Sequence, residues 1–230
     1  MKKIIRQESG MTLVELLVSL VISSFIIAGV YGVYTVQKKS YTVQEQVAEM
    51  QQRLRSAMDF LVRDIRMAGS NPDMESKCGT KISTPAKADN MVFRACNLKE
   101  DDDDFEITVI FNKSEQNLSL VRDKLDTGTP NPMPIAEGVD NFEIQYLDRY
   151  GTPIPTPVTT SGDINRIRAV QISMLIRSTY PDMKYTDTNT YEMGSGATWS
   201  VSTSPSYENK EHYHRRLLVT TIQLRNMLQQ

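Results

Sequence analysis

The chain has 230 residues, of which 40% are hydrophobic and 23% charged, so it is a folded protein and not a disordered one. Its 26 basic and 28 acidic residues leave a net charge of −2. That balance gives no electrostatic case for binding nucleic acid, and none is expected as a partner. No internal repeat is present, and a long N-terminal helix followed by one domain is the simplest partition.

The chain opens with Lys2, Lys3, Arg6 and Glu8, a side-chain balance of +2. From Leu16 to Val36 no residue is charged over 21 residues. A helix of that length rises about 31 Å, enough to cross a bilayer core of about 30 Å. Positive flanks stay cytoplasmic, so the C-terminal side is expected to face outward. A secretory signal peptide would have a shorter apolar run and a small-x-small break after it. Here Ala28-Gly29 is followed by more apolar residues. Glu15 is the one carboxylate near the start of the run, and its presence needs a reason. Gly29 and Gly32 interrupt the apolar half. They suit close packing between membrane helices, or a point where the helix melts locally when lipid is exchanged for protein.

Beyond Lys38 the pattern changes. Val43, Val47, Met50, Leu54, Ala57, Leu61, Ile65 and Ala68 recur at steps of three and four, one stripe of an amphipathic helix. Glu49 with Arg53, and Asp59 with Arg63, stand four apart in the favourable acid-first order. Gly69 and Asn71-Pro72 end the pattern. The stripe needs a partner, and the domain that follows is expected to supply it.

Residues 71–90 read as loop. Cys78 and Cys96 both fall in the part expected to face an oxidising space, where an even count suggests one disulfide. It would close a 19-residue loop and stabilise by about 3 kcal/mol. Two unpaired buried thiols are the alternative. Strands are expected at 91–95, 105–111, 118–122, 142–146, 169–176 and 216–224, with turns at 112–117 and 148–151 and a linker at 127–134. The five acids from Glu100 to Asp104 lack the spaced ligands and turn glycine of a calcium loop and read as a solvated turn. Residues 179–213 read as one long polar loop, of the kind that is functional or mobile. The fold class is α+β, an antiparallel sheet laid on the helix stripe.

No catalytic motif emerges. His212 and His214 could share a strand face as a metal pair, but no HExxH or cysteine pair supports them, and a solvated edge is the better reading. Neither GxSxG nor a phosphate loop is present. No enzyme activity, metal or cofactor is expected.

The opening residues carry a resemblance. Lys2-Lys3, then Gly10-Met11-Thr12-Leu13-Val14-Glu15-Leu16-Leu17-Val18, resembles the processing motif of type IV prepilins and pseudopilins. The helix end from Asp59 to Gly69 is similar to the PilW family of minor pilins, as are Gly138 to Tyr146, Arg168 to Arg177 and Arg215 to Asn226. Met11 departs from the phenylalanine that most pilins have and keeps its hydrophobic character. The resemblance implies a type IV pilin-like fold. It implies a leader at 1–10, a transmembrane and assembly half-helix at 11–37, an amphipathic half at 38–69 and a β-rich periplasmic or extracellular domain at 70–230. A prepilin peptidase would cut between Gly10 and Met11 and methylate the new Met11 amine. Glu15 would pair with the Met11 amine of a neighbouring subunit and set axial register; a local role at the helix N-terminus is the alternative.

The expected function is that of a minor pilin that helps initiate a pilus and sits at or near its tip. Expected partners are other minor pilins, the major pilin, the inner-membrane assembly platform, the peptidase and, before assembly, membrane lipid. The expected location is the inner membrane and then the pilus. Two alternatives stay open: a minor pseudopilin J-like subunit of type II secretion, and a tip adhesin or DNA-binding module using the 179–213 loop with Trp199 and several tyrosines.

Overall fold

The computed structural model describes residues 11–69, 82–95, 105–124, 132–204 and 206–228. Cys78, Cys96, Gly10 and the Glu100–Asp104 acids lie outside them. The chain divides into two units, Met1–Glu45 and Gln46–Gln230. Helix α1 (Leu13–Arg66) begins in the first and ends in the second.

The expected stripe is the buried face of α1 in the second unit. Met50, Leu54, Ala57, Leu61 and Ile65 are all buried, and Val47 packs at the margin of the same core. Burial of each methionine, leucine or isoleucine among them contributes about 1.5–3 kcal/mol. Glu49 and Arg53 form the expected pair at 3.7 Å. Arg53 also reaches Thr179 Oγ1 at 3.0 Å, tying the helix to the domain. Arg63 departs from expectation: it turns to Asp64 at 3.6 Å and lies over the Phe60 ring instead of pairing with Asp59. The end of α1 tightens through bonds from Met67 N to Asp64 O and Ala68 N to Ile65 O. Gly69 at φ +77 then turns the chain away, as its position in the sequence suggests.

Among the described residues the domain holds two four-stranded sheets, where one was expected, and a two-stranded hairpin. The first has the order β1 (Asn90–Ala95), β2 (Phe105–Asn112), β3 (Asn117–Lys124) and β4 (Met133–Glu137). The second includes β5 (Val139–Leu147), β6 (Pro153–Ile154) and β7 (Ala169–Arg177). Its order is β10 (Arg215–Gln223), β7, β5, β6, and every described pairing is antiparallel. The division occurs at Gly138, whose φ of +68 bends the chain between β4 and β5. The linker reading of 127–134 is corrected at its end, because Met133 and Pro134 pair with Leu120 and Ser119 in β4.

The other expected strands lie where their alternation placed them. Val170, Ile172, Met174 and Ile176 of β7 are fully buried, and Ile222 and Leu224 join them from the β10 side. The β2–β3 turn is closed by Asn112 Oδ1, which accepts from Ser114 N and Glu115 N. A short helix α2 (Ser161–Arg166), which was not anticipated, is capped by Thr160 Oγ1 accepting from Asp163 N at 3.1 Å.

The long loop is a folded excursion. Its two arms run antiparallel, through bonds from Ser178 N to His214 O, Asp182 N to His212 O and Asp187 N to Glu211 O. They carry a hairpin of β8 (Thr190–Glu192) and β9 (Thr198–Ser200). Gly194 N donates to Ser173 Oγ at 2.8 Å, bringing the excursion onto the second face of β7. That covering explains why Ser173 and Leu175 are buried as well as their neighbours.

Candidate assembly site

Thr12 and Glu15 form a reciprocal cap at the start of α1. Glu15 N donates to Thr12 Oγ1 at 3.3 Å, while Thr12 N and Thr12 Oγ1 donate to Glu15 Oε2 at 3.5 and 3.4 Å. This is the capping box that Thr12-x-x-Glu15 encodes, and it satisfies two of the orphan donors of a helix start. The Thr12-x-x-Glu15 spacing is the sequence signal for this cap. Glu15 therefore has Thr12 as a local hydrogen-bond partner.

Other polar side chains of the apolar run look inward to their own helix. Ser19 Oγ donates to Glu15 O at 2.7 Å, Ser24 Oγ to Val21 O at 2.7 Å and Thr35 Oγ1 to Gly32 O at 2.8 Å. Such bonds let hydroxyls sit in lipid or among apolar helices without a stranded donor. Glu15 remains the one acidic or basic side chain between Met11 and Val36 that is charged near neutral pH. The helix is long and apolar enough to cross a membrane, and the side chains from Met11 to Val36 are all exposed in this unit. The helix continues unbroken through Gly29 and Gly32, with open space where their Cβ atoms would be. Met11 and Glu15 thus sit together at one helix end.

In the domain, charge is concentrated around Asp140. Its carboxylate accepts from Arg177 Nη1 at 2.6 Å, Arg215 Nε at 2.6 Å, Gln116 Nε2 at 3.2 Å and the Tyr207 hydroxyl at 3.0 Å. Arg215 also donates to Asp187 Oδ2 at 3.0 Å and to Lys210 O at 2.7 Å. Burial works against the Arg215 charge, but Asp140 chief among its partners more than offsets this and holds its pKa above the ordinary arginine value. Burial and then Asp140 push the Tyr207 phenol up; burial and then Asp187 do the same for Tyr191.

Two acids and two arginines thus neutralise each other where the excursion meets the sheet, and they fasten it there. Trp199 is buried under the Arg215 guanidinium, 5.2 Å from it, and tilts against Tyr191. It is a packing residue, so of the loop aromatics offered for a binding role Trp199 does not face solvent, while Tyr180 does.

His212 and His214 do not share a strand face. His212 lies in a short 3-10 turn (Lys210–His212) with Nδ1 2.6 Å from Tyr185 O. His214 stacks on the Tyr185 ring at 4.0 Å, with Nε2 3.6 Å from Asp182. Among the described residues no group of three His, Cys, Asp or Glu side chains converges as a metal site would require.

Comparison with known proteins adds three findings. Residues 109–226 match the family model of type IV pilus-assembly protein W. Residues 5–31 match the prokaryotic N-terminal methylation motif. A type IV-like pilin from Thermus thermophilus is structurally similar, with a TM-score of 0.53 at 16% identity over 78% of this chain and 98% of that one. The likeness establishes a type IV pilin-like α+β fold. No curated protein matches the chain.

Proposed function

The chain belongs to the PilW family of type IV pilus-assembly proteins, and on that premise we propose that this minor pilin helps initiate a pilus and sits at or near its tip. Family and fold are structural, and the apolar N-terminal helix with its methylation motif fits a membrane-anchored pilin. The observation that carries the reading is the helix start. A processing motif, an uninterrupted apolar helix and a single carboxylate at its N-terminal turn occur together.

The finer steps follow from that arrangement. A prepilin peptidase removes residues 1–10 between Gly10 and Met11 and methylates the Met11 amine. Before assembly, residues 11–37 lie in the inner membrane with the domain on the periplasmic side. The stem at 38–69 and the domain at 70–230 follow the subunit into the fibre, beside other minor pilins and the major pilin on the assembly platform. There the Glu15 of one subunit meets the Met11 amine of the next. A carboxylate in an apolar bundle is costly alone and tolerable when paired, so matched charges fix the axial step. The capping box serves this role, because it holds Glu15 in the first turn beside Met11. Cys78 and Cys96 are taken as one disulfide. The folded excursion adds bulk that a repeated shaft position has little room for, which favours the tip.

The test is N-terminal mass analysis of the protein from cells with and without the peptidase. A methylated Met11 start that depends on the peptidase is expected, together with enrichment of labelled subunits at fibre ends. A chain that keeps Met1 in both strains overturns the reading, and labels spread evenly along shafts overturn the tip position.

A further inference from the structure

Strand β10 forms one edge of the second sheet, and β7 is its one described neighbour. Ser178 N bonds His214 O and Leu224 N bonds Arg168 O, one at each end of the β7–β10 ladder. In an antiparallel ladder alternate residues bond the partner and the rest point away. The register therefore turns the backbone groups of Leu217, Val219, Thr221 and Gln223 away from β7, toward the edge. Among the described residues none of these groups has a partner.

Proteins ordinarily guard such edges with short strands, proline or a covering segment. The other edges here follow that rule. β6 has two residues, β4 contains Pro134, and Ile82 bridges Phe93 in β1. β10 is nine residues long and contains neither proline nor glycine.

A polar groove of about 450 Å³ lies at the C-terminal end of this edge, lined by Arg66, Thr221, Gln223, Arg225 and Asn226. Asn226 Nδ2 donates to Arg66 O at 3.1 Å, which holds the groove together. The two guanidinium groups are exposed and have no acid or hydrogen-bond acceptor among the described residues. An unguarded edge accepts an extended strand, and paired free arginines accept carboxylates.

We propose that β10 takes up an extended segment of a second protein as an added strand, with one or more carboxylates of that segment seated between Arg66 and Arg225. The charge of the groove selects an acidic segment, and the backbone groups of Leu217 to Gln223 supply the pairing. The inference rests on the fibre reading for one point, that the donor is a neighbouring pilin subunit.

The test uses the full chain in detergent micelles. In the free protein the amides of Leu217, Val219, Thr221 and Gln223 should exchange with deuterium at least roughly tenfold faster than those of Leu218, Thr220 and Ile222. The probe is a nine-residue peptide of alternating threonine and valine with two glutamates at one end. It should slow those four amides, and a backbone N-methylated version should not. The double variant Arg66→Gln with Arg225→Gln should bind it roughly tenfold more weakly at low salt. These arginines are exposed and have no acid partner among the described residues, so the double variant should fold as the parent does. Slow exchange at all seven amides without peptide, or equal binding of the methylated peptide, overturns the added strand. Unchanged affinity in the arginine variant overturns the carboxylate seat.

In cells, Val219→Pro removes one outward donor and leaves the β7 ladder intact. It should retain leader removal and membrane level while losing entry into fibres. A processed Val219→Pro subunit that enters fibres like the parent removes the docking edge and leaves the fibre reading standing. A parent chain absent from fibres removes the fibre reading.

Discussion

Arg215 Nε lies 2.6 Å from Asp140 Oδ2, and both side chains are fully buried. The pair joins the last strand of the domain to the first strand of its second sheet across 75 residues of sequence. Asp140 also serves Arg177, Tyr207 and Gln116, so it is the centre on which the excursion between Ser178 and His214 depends.

Removing that carboxylate should strand Arg177 and leave Arg215 with Asp187 as its one acid partner among the described residues. Breaking one partner of a buried pair costs about 3–5 kcal/mol. In a domain of this size that is roughly 6–20 °C of melting temperature. Asp140→Ala should show this loss in a thermal melt of the full chain in detergent. Asp140→Leu combined with Arg215→Met should cost less than the two single changes summed, because neither charge is then left alone. Additive losses would show that the two residues do not act as a pair.

One buried and two half-buried phenols set an alkaline limit. Burial first, and then Asp140 for Tyr207, Asp187 for Tyr191 and Asp89 for Tyr146, raises each above the ordinary 10.0. A raised folded-state pKa contributes stability in full below the unfolded value and loses it as pH climbs through the folded one. Melting temperatures should therefore hold from pH 8 to about 10 and fall above that. Tyr207→Phe should make the fall shallower, and an alkaline profile identical in that variant would count against the assignment.

Two glycines should respond in opposite directions to alanine. Gly138, at φ +68, bends the chain between the sheets. A Cβ there costs about 1–2 kcal/mol of backbone strain. Gly162 lies in α2 with nothing near its missing Cβ and an ordinary φ. Alanine there should stabilise by about 0.4–1 kcal/mol. Urea denaturation of both variants gives the comparison, and equal midpoints would contradict it.

At the helix start, shape and charge can be separated. Glu15→Gln keeps a side chain that can close the capping box and removes the charge. Thr12→Val keeps the charge and removes the hydroxyl, at about 0.5–2 kcal/mol of helix stability. If matched charge sets the register, Glu15→Gln should abolish fibre entry while Thr12→Val reduces it only in part. Fibre counts by immunogold labelling decide the order, and the reverse order would make the local cap the main role of Glu15.

What the sequence determined by itself is what short-range pattern can carry. The stripe from Met50 to Ala68, the Gly69 stop, the alternating strands at β5, β7 and β10, and the membrane-length apolar run are each written within a few residues, because side-chain direction repeats every 3.6 or 2 positions. The Thr12-x-x-Glu15 and Thr160-x-x-Asp163 caps are written there too, each within four residues. Only the tertiary structure decided that the domain has two four-stranded sheets, that residues 178–214 are a folded excursion, and that Trp199 is buried beneath Arg215. Those outcomes rest on Asp140, Asp187, Arg177 and Arg215 meeting across separations of 28 to 75 residues. A local pattern does not encode such meetings. Burying charge is favourable only once every partner is in place, so their positions are fixed by folding as a whole.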